Sequence, residues 1–219
     1  MFAARPGSAS GAVAIVSAKP GFIAAFPRDF CLSYINTLYW RGRSTRAETL
    51  HTLADVFEWL GRSGVVSPAW ADDAKEWADS HSTEAGPVFS RVIEIREALF
   101  GIFSAIAVGA RVDERDFLIF STALANTPNR GRLVPTPAGF AWSVRQKWSS
   151  ASDILAPALW SAGDLILDAA GGRIRRCANT ECLWLFVDQS KTNTRRWCDM
   201  GACGNRAKAR RHYERSRQA

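Results

Sequence analysis

Four of the five cysteines lie near the end of the chain, in two pairs of equal spacing. Each pair encloses four residues, as in CANTEC and CDMGAC, and fifteen residues separate the pairs. Two short loops can each supply two thiolates to one tetrahedral zinc ion, and four protein ligands leave no position for a reacting water molecule. The pattern therefore predicts one structural Zn²⁺ site at Cys177, Cys182, Cys198 and Cys203. Two disulfides, or buried cysteines without a metal, are the alternatives.

The residues around the cysteine pairs indicate which elements position them. LWLFVD, between the pairs, is typical of a strand, so we expect the first loop on a small hairpin and a helix that starts near Cys203. This is a zinc-ribbon or treble-clef-like arrangement. So short a segment has little core of its own, and zinc binding can supply folding free energy. Trp184 and Trp197 are expected to fill the small core beside the metal, with stacking on bases as the alternative.

The same segment carries the basic charge of the chain. The residues from Arg173 onward include twelve Lys and Arg and four Asp and Glu. The net positive charge of this segment therefore exceeds the +7 of the whole chain. A near-neutral body with a basic end indicates a polyanion partner, and a solvated tail is the alternative. Phosphates and base edges of nucleic acid, with duplex DNA as the main candidate, are expected to contact Arg195, Arg196, Asn205, Arg206, Lys208, Arg210, Arg211 and Arg215. Asn205 has capping or loop bracing as its alternative role.

The rest of the chain predicts helices. A broad apolar stripe from about Pro87 to Val108 is typical of a central helix that packs on several others. Periodic apolar positions and capping signals predict further helices at 28–41, 51–64, 67–81, 113–127 and 149–172. GRLVPTPAGFAWSV instead predicts a β-hairpin formed by residues 132–134 and 140–144. Cys31, on the first helix, is expected to pack in the core.

These elements define the predicted architecture. The fold class is mainly α: a helical N-terminal domain with a small β-hairpin, followed by a small four-cysteine zinc finger with a C-terminal helix. The expected boundaries are 1–27 for a lead-in, partly disordered or extended, 28–171 for the helical domain, and 172–219 for the finger. Gly171 and Gly172 mark the break.

Two polar residues interrupt the apolar faces of the helical domain. Asn36 lies near the apolar side of the first helix, and Arg96 is flanked by apolar residues. Together with Trp40 and Trp59 they are candidates to line a pocket for an anionic or amide-bearing effector. Buried polar groups need partners. The alternatives are therefore an Asn36 that bonds to a loop and an Arg96 that snorkels or pairs with a carboxylate.

The segment RRCANTECLWLFVDQSKTNTRRWCDMGACGNRAKARRHYERSR resembles the CGNR zinc finger, named for the residues that are Cys203, Gly204, Asn205 and Arg206 here. Upstream, YINTLYWR, VFEWL and IEIREAL resemble the helical ABATE domain that precedes this finger in bacterial proteins. The resemblance implies a stress-induced transcription regulator in which four cysteines hold zinc and the finger binds DNA. In one departure, DFCLSYINT lacks the Leu-Asp-Phe-Val that the family more usually has before Asn-Thr.

The sequence therefore predicts a DNA-binding transcription regulator of the bacterial cytoplasm, whose helical domain senses a small-molecule effector or mediates association. An RNA-binding or protein-interaction module with a purely structural zinc site is the alternative. No nucleophile motif, phosphate loop or acid–base pair is apparent, so we predict no enzyme and assign no catalytic residue. No apolar run approaches the roughly 20 residues that cross a membrane, so no membrane partner is expected. If the chain forms a homodimer, its two fingers would contact two half-sites of the DNA.

Overall fold

The computed structural model describes residues 20–137, 139–168 and 173–217, and about half of the chain is helical. The elements run β1 (Pro20–Ala24), α1 (Phe30–Ile35), α2 (Leu53–Arg62), α3 (Pro68–Ser80), α4 (Ser82–Val108), α5 (Glu114–Ala125), β2 (Leu133–Thr136), β3 (Gly139–Arg145), α6 (Ala151–Ile154), α7 (Ala156–Asp168), β4 (Ile174–Arg176), β5 (Leu185–Val187) and α8 (Asn205–Ser216). A π-helical turn (Met200–Gly204) precedes α8. The structure thus confirms a mainly helical fold with small hairpins and a C-terminal four-cysteine finger.

Local capping chemistry explains where the early helices begin. At α2 the Thr52 hydroxyl accepts from the Asp55 amide at 3.2 Å, and the Asp55 carboxylate accepts from the Thr52 amide at 2.8 Å. This capping box satisfies two amides that no helical carbonyl reaches. At α3 the Ser67 hydroxyl accepts from the Trp70 amide at 3.2 Å, and Pro68 fills the first helical position. Both starts confirm the sequence signals.

The first helix is shorter than its sequence pattern predicts. The expected span was 28–41, but α1 ends at Ile35 with Asn36 as its C-cap. Beyond it, Trp40 has a left-handed φ of 56°, which a continuing α-helix does not allow. The residues after α1 therefore form an irregular segment, 36–49, which we call the docking segment.

α4 is the centre of the helical domain. It packs against α1, α2, α3, α5 and α6, and also against β4 and β5 of the finger. Val92, Ile95, Leu99 and Phe103 along it have no exposed surface, which confirms the predicted central helix. It begins before the expected start, so that Pro87 lies inside the helix.

Two antiparallel sheets complete the described part of the fold. β3 lies between β1 and β2, with Trp142 paired to both Ile23 and Leu133. The predicted hairpin is confirmed, and β1, from the expected lead-in, adds a third strand to it. β4 and β5 form a separate hairpin in the finger. The predicted break at Gly171 and Gly172 lies outside the described residues, and none of the described helices has the length and apolar character needed to cross a membrane.

Candidate metal centre and nucleic-acid interface

The four predicted ligands converge on one point. The sulfurs of Cys177, Cys182, Cys198 and Cys203 all lie within 4.8 Å of one another. The Sγ–Sγ distance is 3.7 Å between Cys182 and Cys198 and 3.8 Å between Cys198 and Cys203. Zinc–thiolate bonds of about 2.3 Å in a tetrahedron place the sulfurs about 3.8 Å apart. The spacing fits one zinc ion, and all four cysteines are free thiols, which argues against the disulfide alternative.

The β4–β5 hairpin positions the first cysteine pair. The Cys177 amide donates to the Trp184 carbonyl at 2.8 Å, which extends the pairing of the two strands. The Cys182 amide donates to the Asn179 carbonyl at 2.9 Å and closes a tight turn between the two cysteines. The Asn179 side-chain amide also reaches the Cys203 sulfur at 3.6 Å. The first loop therefore contacts a ligand of the second pair directly.

The π-helical turn and Arg195 position the second pair. The Asp199 carboxylate accepts from the Ala202 amide at 2.5 Å and caps the turn that carries Cys203. The Arg195 side chain donates to the carbonyl of Trp197 at 2.9 Å and to the carbonyl of Cys198. These bonds fix the backbone on both sides of Cys198.

The crowding of the sulfurs explains why this site needs a cation. Hydrogen bonds with the sulfurs of Cys177 and Cys182, and then burial, raise the pKa of Cys198. The pKa of Cys182 is raised as well, chiefly by Cys177, whose own pKa is lowered, so one thiolate in the cluster disfavours ionisation of its neighbours. A bound divalent cation reverses that preference, because the thiolate is the form that ligates metal.

The fifth cysteine lies in a different environment. Cys31 is fully buried in the main core, where its amide donates to the Ser161 hydroxyl at 3.0 Å. Burial, ahead of other causes, raises the pKa of Cys31 to about 12. A thiol of this kind is inert, and the prediction of a core residue is confirmed.

Comparison with known proteins agrees with this geometry. Residues 173–216 match the family model described as "CGNR zinc finger". Residues 28–169, well over half of the chain, match the model named ABATE and described as "Putative stress-induced transcription regulator". The chain belongs to the ABATE family. No curated protein matches it.

In this ABATE protein the four cysteines form the site of one structural zinc ion. Cys177, Cys182 and Cys203 are buried, and Trp184 and Trp197 pack beside them with Trp40 of the docking segment. The two finger tryptophans thus fill the miniature core, as predicted.

The finger also docks on the helical domain through the docking segment. The Asn36 side chain donates to the Leu185 carbonyl at 2.8 Å and accepts from the Leu185 amide at 3.1 Å, so it bonds the free edge of β5. The Gly42 amide donates to the Glu181 carbonyl at 3.1 Å, and Arg43 pairs with the Glu181 carboxylate at 2.6 Å. A Cβ at Gly42 would lie 1.8 Å from the Thr180 carbonyl oxygen. Only glycine permits this approach.

Sequence reasoning missed this docking role of residues 36–49. The segment has no regular periodicity, and its partners lie more than a hundred residues away in the sequence. The available signal was Gly42 in YWRGR, because a glycine among large residues often marks close backbone approach.

A buried charge network holds the docking segment from below. Arg96 is 1% exposed and pairs with Glu48 at 2.6 Å and with Glu97 at 2.9 Å. Arg41 is 5% exposed, pairs with Glu97 at 2.6 Å and donates to the Ile35 carbonyl at 2.9 Å. Two arginines and two carboxylates balance one another. The desolvated charges are therefore paired, as buried ions must be.

The four residues predicted to line an effector pocket have separate environments. Asn36 bonds to Leu185, and Arg96 bonds to carboxylates, which are the alternatives weighed from the sequence. Trp40 packs beside the cysteines. Trp59 stacks on Phe30 with ring centroids 5.3 Å apart. An effector pocket at these residues stays a prediction, and its polar groups already have protein partners.

The predicted nucleic-acid residues whose side chains are described are all exposed. α8 packs chiefly on the π-helical turn, and its described side chains from Asn205, Lys208, Arg210 and Arg215 are exposed. The side chain of Arg211 lies outside the described residues. Three of these exposed cations also contact protein groups: Arg195 donates to the Trp197 carbonyl, and the guanidinium carbons of Arg196 and Arg206 lie 5.6 Å from the Trp197 ring centroid and 4.5 Å from the Trp40 ring centroid, respectively.

Proposed function

We propose that this ABATE protein is a DNA-binding transcription regulator of the bacterial cytoplasm. In this proposal the zinc finger presents α8 to duplex DNA, and the helical domain senses a signal or mediates association. One observation carries it: a helix rich in exposed Arg and Lys begins directly at the zinc site, because Cys203 lies in the turn that leads into α8. The family description supports the regulatory part. Neither matched family is described as enzymatic.

The geometry supports a reading helix rather than a loose tail. Zinc would hold Cys203 in place, and the turn capped by Asp199 sets the direction in which α8 leaves the finger. The exposed cations would neutralise phosphates, and the major groove of B-DNA admits an α-helix. Because the finger also bonds to the docking segment, α8 has a defined orientation relative to the helical domain.

The test is selection of bound fragments from sheared genomic DNA by the zinc-loaded protein at about 150 mM salt, where nonspecific phosphate attraction is weak. We expect enrichment of one sequence motif and its loss in the double variant Lys208→Ala/Arg215→Ala. The matched control is Arg62→Ala/Arg111→Ala, which removes two exposed cations, 70% and 85% accessible at their side chains, from the helical domain. Loss of the motif in the control as well would contradict recognition by α8.

A second candidate is an RNA-binding or protein-interaction module in which zinc is purely structural. The protein contacts of Arg195 and Arg206 favour its protein-interaction form, because two of the predicted nucleic-acid residues also stabilise the finger itself. Binding of a DNA duplex and of a structured RNA across a salt series separates the two candidates. Preference for RNA, or no salt-dependent binding of either, would replace the main proposal.

A homodimer belongs to the main proposal, because one short helix offers few base contacts and many regulators pair two half-sites. Sedimentation of the free protein and of its complex with a selected fragment measures the stoichiometry. One protein chain per selected fragment would remove the dimer from the proposal while leaving DNA recognition intact.

A further inference from the structure

The helical domain contains a cavity, open on one side to solvent, that none of the predicted sites uses. It has a volume of about 510 Å³ and lies where α5, the end of β3, the start of α6 and the side of α4 meet. Ligand pockets in proteins commonly measure about 300–1,000 Å³. The cavity is therefore large enough for a small organic molecule.

Basic side chains dominate its charge. Arg91, Arg145 and Lys147 line the cavity, and Asp153 is the acidic residue among the lining groups. Within the described part of the chain, neither Arg145 nor Lys147 has a carboxylate at ion-pair distance. Arg91 pairs with Glu94 at 2.5 Å, so its charge is partly compensated. The cavity carries an excess of positive charge.

Among the described lining residues, the acidic side chain of Asp153 is engaged with its own loop. One oxygen of Asp153 accepts from the Lys147 amide at 2.7 Å, and the other accepts from the Ser150 hydroxyl at 3.2 Å. Because these donors hold both oxygens, Asp153 shapes the loop between β3 and α6 that carries Lys147. The Lys147 side chain is exposed, and the Asp153 charge attracts it without an ion pair.

Neutral hydrogen-bonding groups complete the lining. Thr122 and Asn126 come from α5, and Ser152 comes from α6. The Asn126 amide donates to the Thr122 carbonyl at 2.8 Å, which orients the side chain at the cavity wall. Hydroxyl groups beside a guanidinium and an ammonium form a set of donors suited to an oxyanion.

We propose that this cavity binds a small organic anion through a phosphate or carboxylate group. Arg145 offers a planar pair of N–H donors, and Lys147 offers a compact positive charge, which together match either oxyanion. The cavity volume leaves room for a body beyond the anionic group.

The idea that this cavity is the sensing site of the regulator rests on the proposed function. The proposal that the cavity binds an anion does not. α4 carries Arg91 at the cavity and, further along, Arg96, which binds Glu48 of the docking segment. A ligand that draws Arg91 away from Glu94 would therefore act on the helix that also holds the finger.

The experiment measures binding to the zinc-loaded full chain by isothermal titration calorimetry, without DNA and at low constant ionic strength. The probes are glucose 6-phosphate, inorganic phosphate and citrate, with glucose as the uncharged probe. We expect saturable binding of glucose 6-phosphate or of citrate, and none of glucose. Preference for glucose 6-phosphate over citrate assigns a phosphate ligand, and the reverse assigns a carboxylate.

The variant Arg145→Gln/Lys147→Gln tests the assigned residues. Its affinity is expected to fall about tenfold or more, because it removes two charge-assisted contacts. The control Arg62→Gln/Arg111→Gln removes the same charge from exposed positions and is expected to bind as the wild type does. Unchanged melting temperatures in both variants exclude misfolding.

Three results would overturn the proposal: no saturable binding of the three anions, equal binding of glucose, or equal weakening in both double variants. Since DNA is absent from the assay, the result is independent of whether α8 recognises a sequence. Loss of anion binding and failure of the fragment selection are thus separate outcomes.

Discussion

The helical domain and the zinc finger are stabilised in different ways. The helical domain buries a large apolar core around α4, with no exposed surface at residues such as Ile95, Leu99 and Phe103. The finger has a small cluster of three buried cysteines with partly buried tryptophans beside them. Apolar burial contributes roughly in proportion to area, so the finger needs the metal for what its core cannot supply. The comparison shows that a short segment needs metal binding, in addition to apolar burial, to hold one helix in place.

The finger also shares the core of its neighbour. Ile174 of β4 and Leu185 of β5 are 4% and 1% exposed, and both belong to the main core around α4. The two regions are therefore chemically different but share packing. Variants that remove one force at a time measure how far this sharing extends.

The largest expected effect follows from loss of a zinc ligand. In Cys203→Ser or Cys177→Ser we expect loss of zinc and of order in the finger, because zinc-finger segments gain about 10–16 kcal/mol from metal binding. The melting temperature of the helical domain should fall as well, since Ile174 and Leu185 would leave its core. Zinc content by mass spectrometry under native conditions and thermal melts by circular dichroism measure the two effects.

The control for this experiment is Cys31→Ala, which removes a buried cysteine outside the cluster. It should retain one zinc ion per chain. Stoichiometric zinc in both ligand variants would refute the assigned site, and an unchanged melt of the helical domain would show that the finger contributes nothing to its core.

The next largest effect follows from removing the central charge of the helical domain. Arg96→Ala leaves Glu48 and part of Glu97 without a cation, which should cost about 3 kcal/mol, the low end for a buried pair, because these carboxylate side chains are 28% and 40% exposed. Urea denaturation measures the free energy of unfolding. Arg111→Ala, at an exposed ion pair, should change it by less than about 1 kcal/mol. A similar cost in both variants would show that the buried network adds no special stability.

Local signals explain what the sequence predicts well. The Thr52 capping box, the Ser67–Pro68 helix start and the cysteine pairs each depend on residues a few positions apart, and each is found as expected. Short-range chemistry of this kind is complete within the segment that encodes it. The finger was therefore predictable in its ligands, its hairpin and its helix.

Long-range contacts explain what it does not predict. Glu48 meets Arg96, and Gly42 meets Thr180, across separations that no periodicity records. For β1, which lies in the lead-in expected to be partly disordered or extended, the strand partner is β3, more than a hundred residues away. Arg195 and Arg206 have the residue type of a phosphate contact, yet tertiary packing gives both of them protein partners. Charge composition shows that a segment is basic and leaves open which of its exposed cations also contact protein groups.

A smaller effect is expected where the two regions touch. Gly42→Ala places a Cβ 1.8 Å from the Thr180 carbonyl oxygen, so the docking segment or the first cysteine loop must shift. Such overpacking costs about 1–3 kcal/mol. Hydrogen exchange of the Gly42 and Leu185 amides reports the local loosening. Gly86→Ala, in α4 with open space around its Cβ, is the control and should be neutral or stabilising.

The outcome for Gly42→Ala also bears on how the two regions are coupled. If hydrogen exchange becomes faster only at the contact between the docking segment and the finger, and zinc is retained, the metal centre is stable without the docking segment. Exchange that is as slow as in the wild type would mean that the close approach is unimportant for docking.

The smallest expected effect is a change with pH at the base of the docking segment. Burial opposes ionisation of Glu48, but hydrogen bonds from Arg96 and the Leu50 amide prevail and lower its pKa. A carboxylate whose pKa is lower in the folded state contributes stability that is complete above its unfolded pKa of about 4.3 and is lost as the pH falls through the folded pKa. Glu48→Gln should therefore be less stable than the wild type at neutral pH, and the free energies of unfolding of the two proteins should converge as the medium becomes more acidic than about pH 4.

Acid also releases zinc by protonating the cysteines, but this loss is common to both proteins and cancels in the difference between their free energies of unfolding. A difference that stays constant from neutral to acidic pH would show that Glu48 acts through its shape rather than its charge.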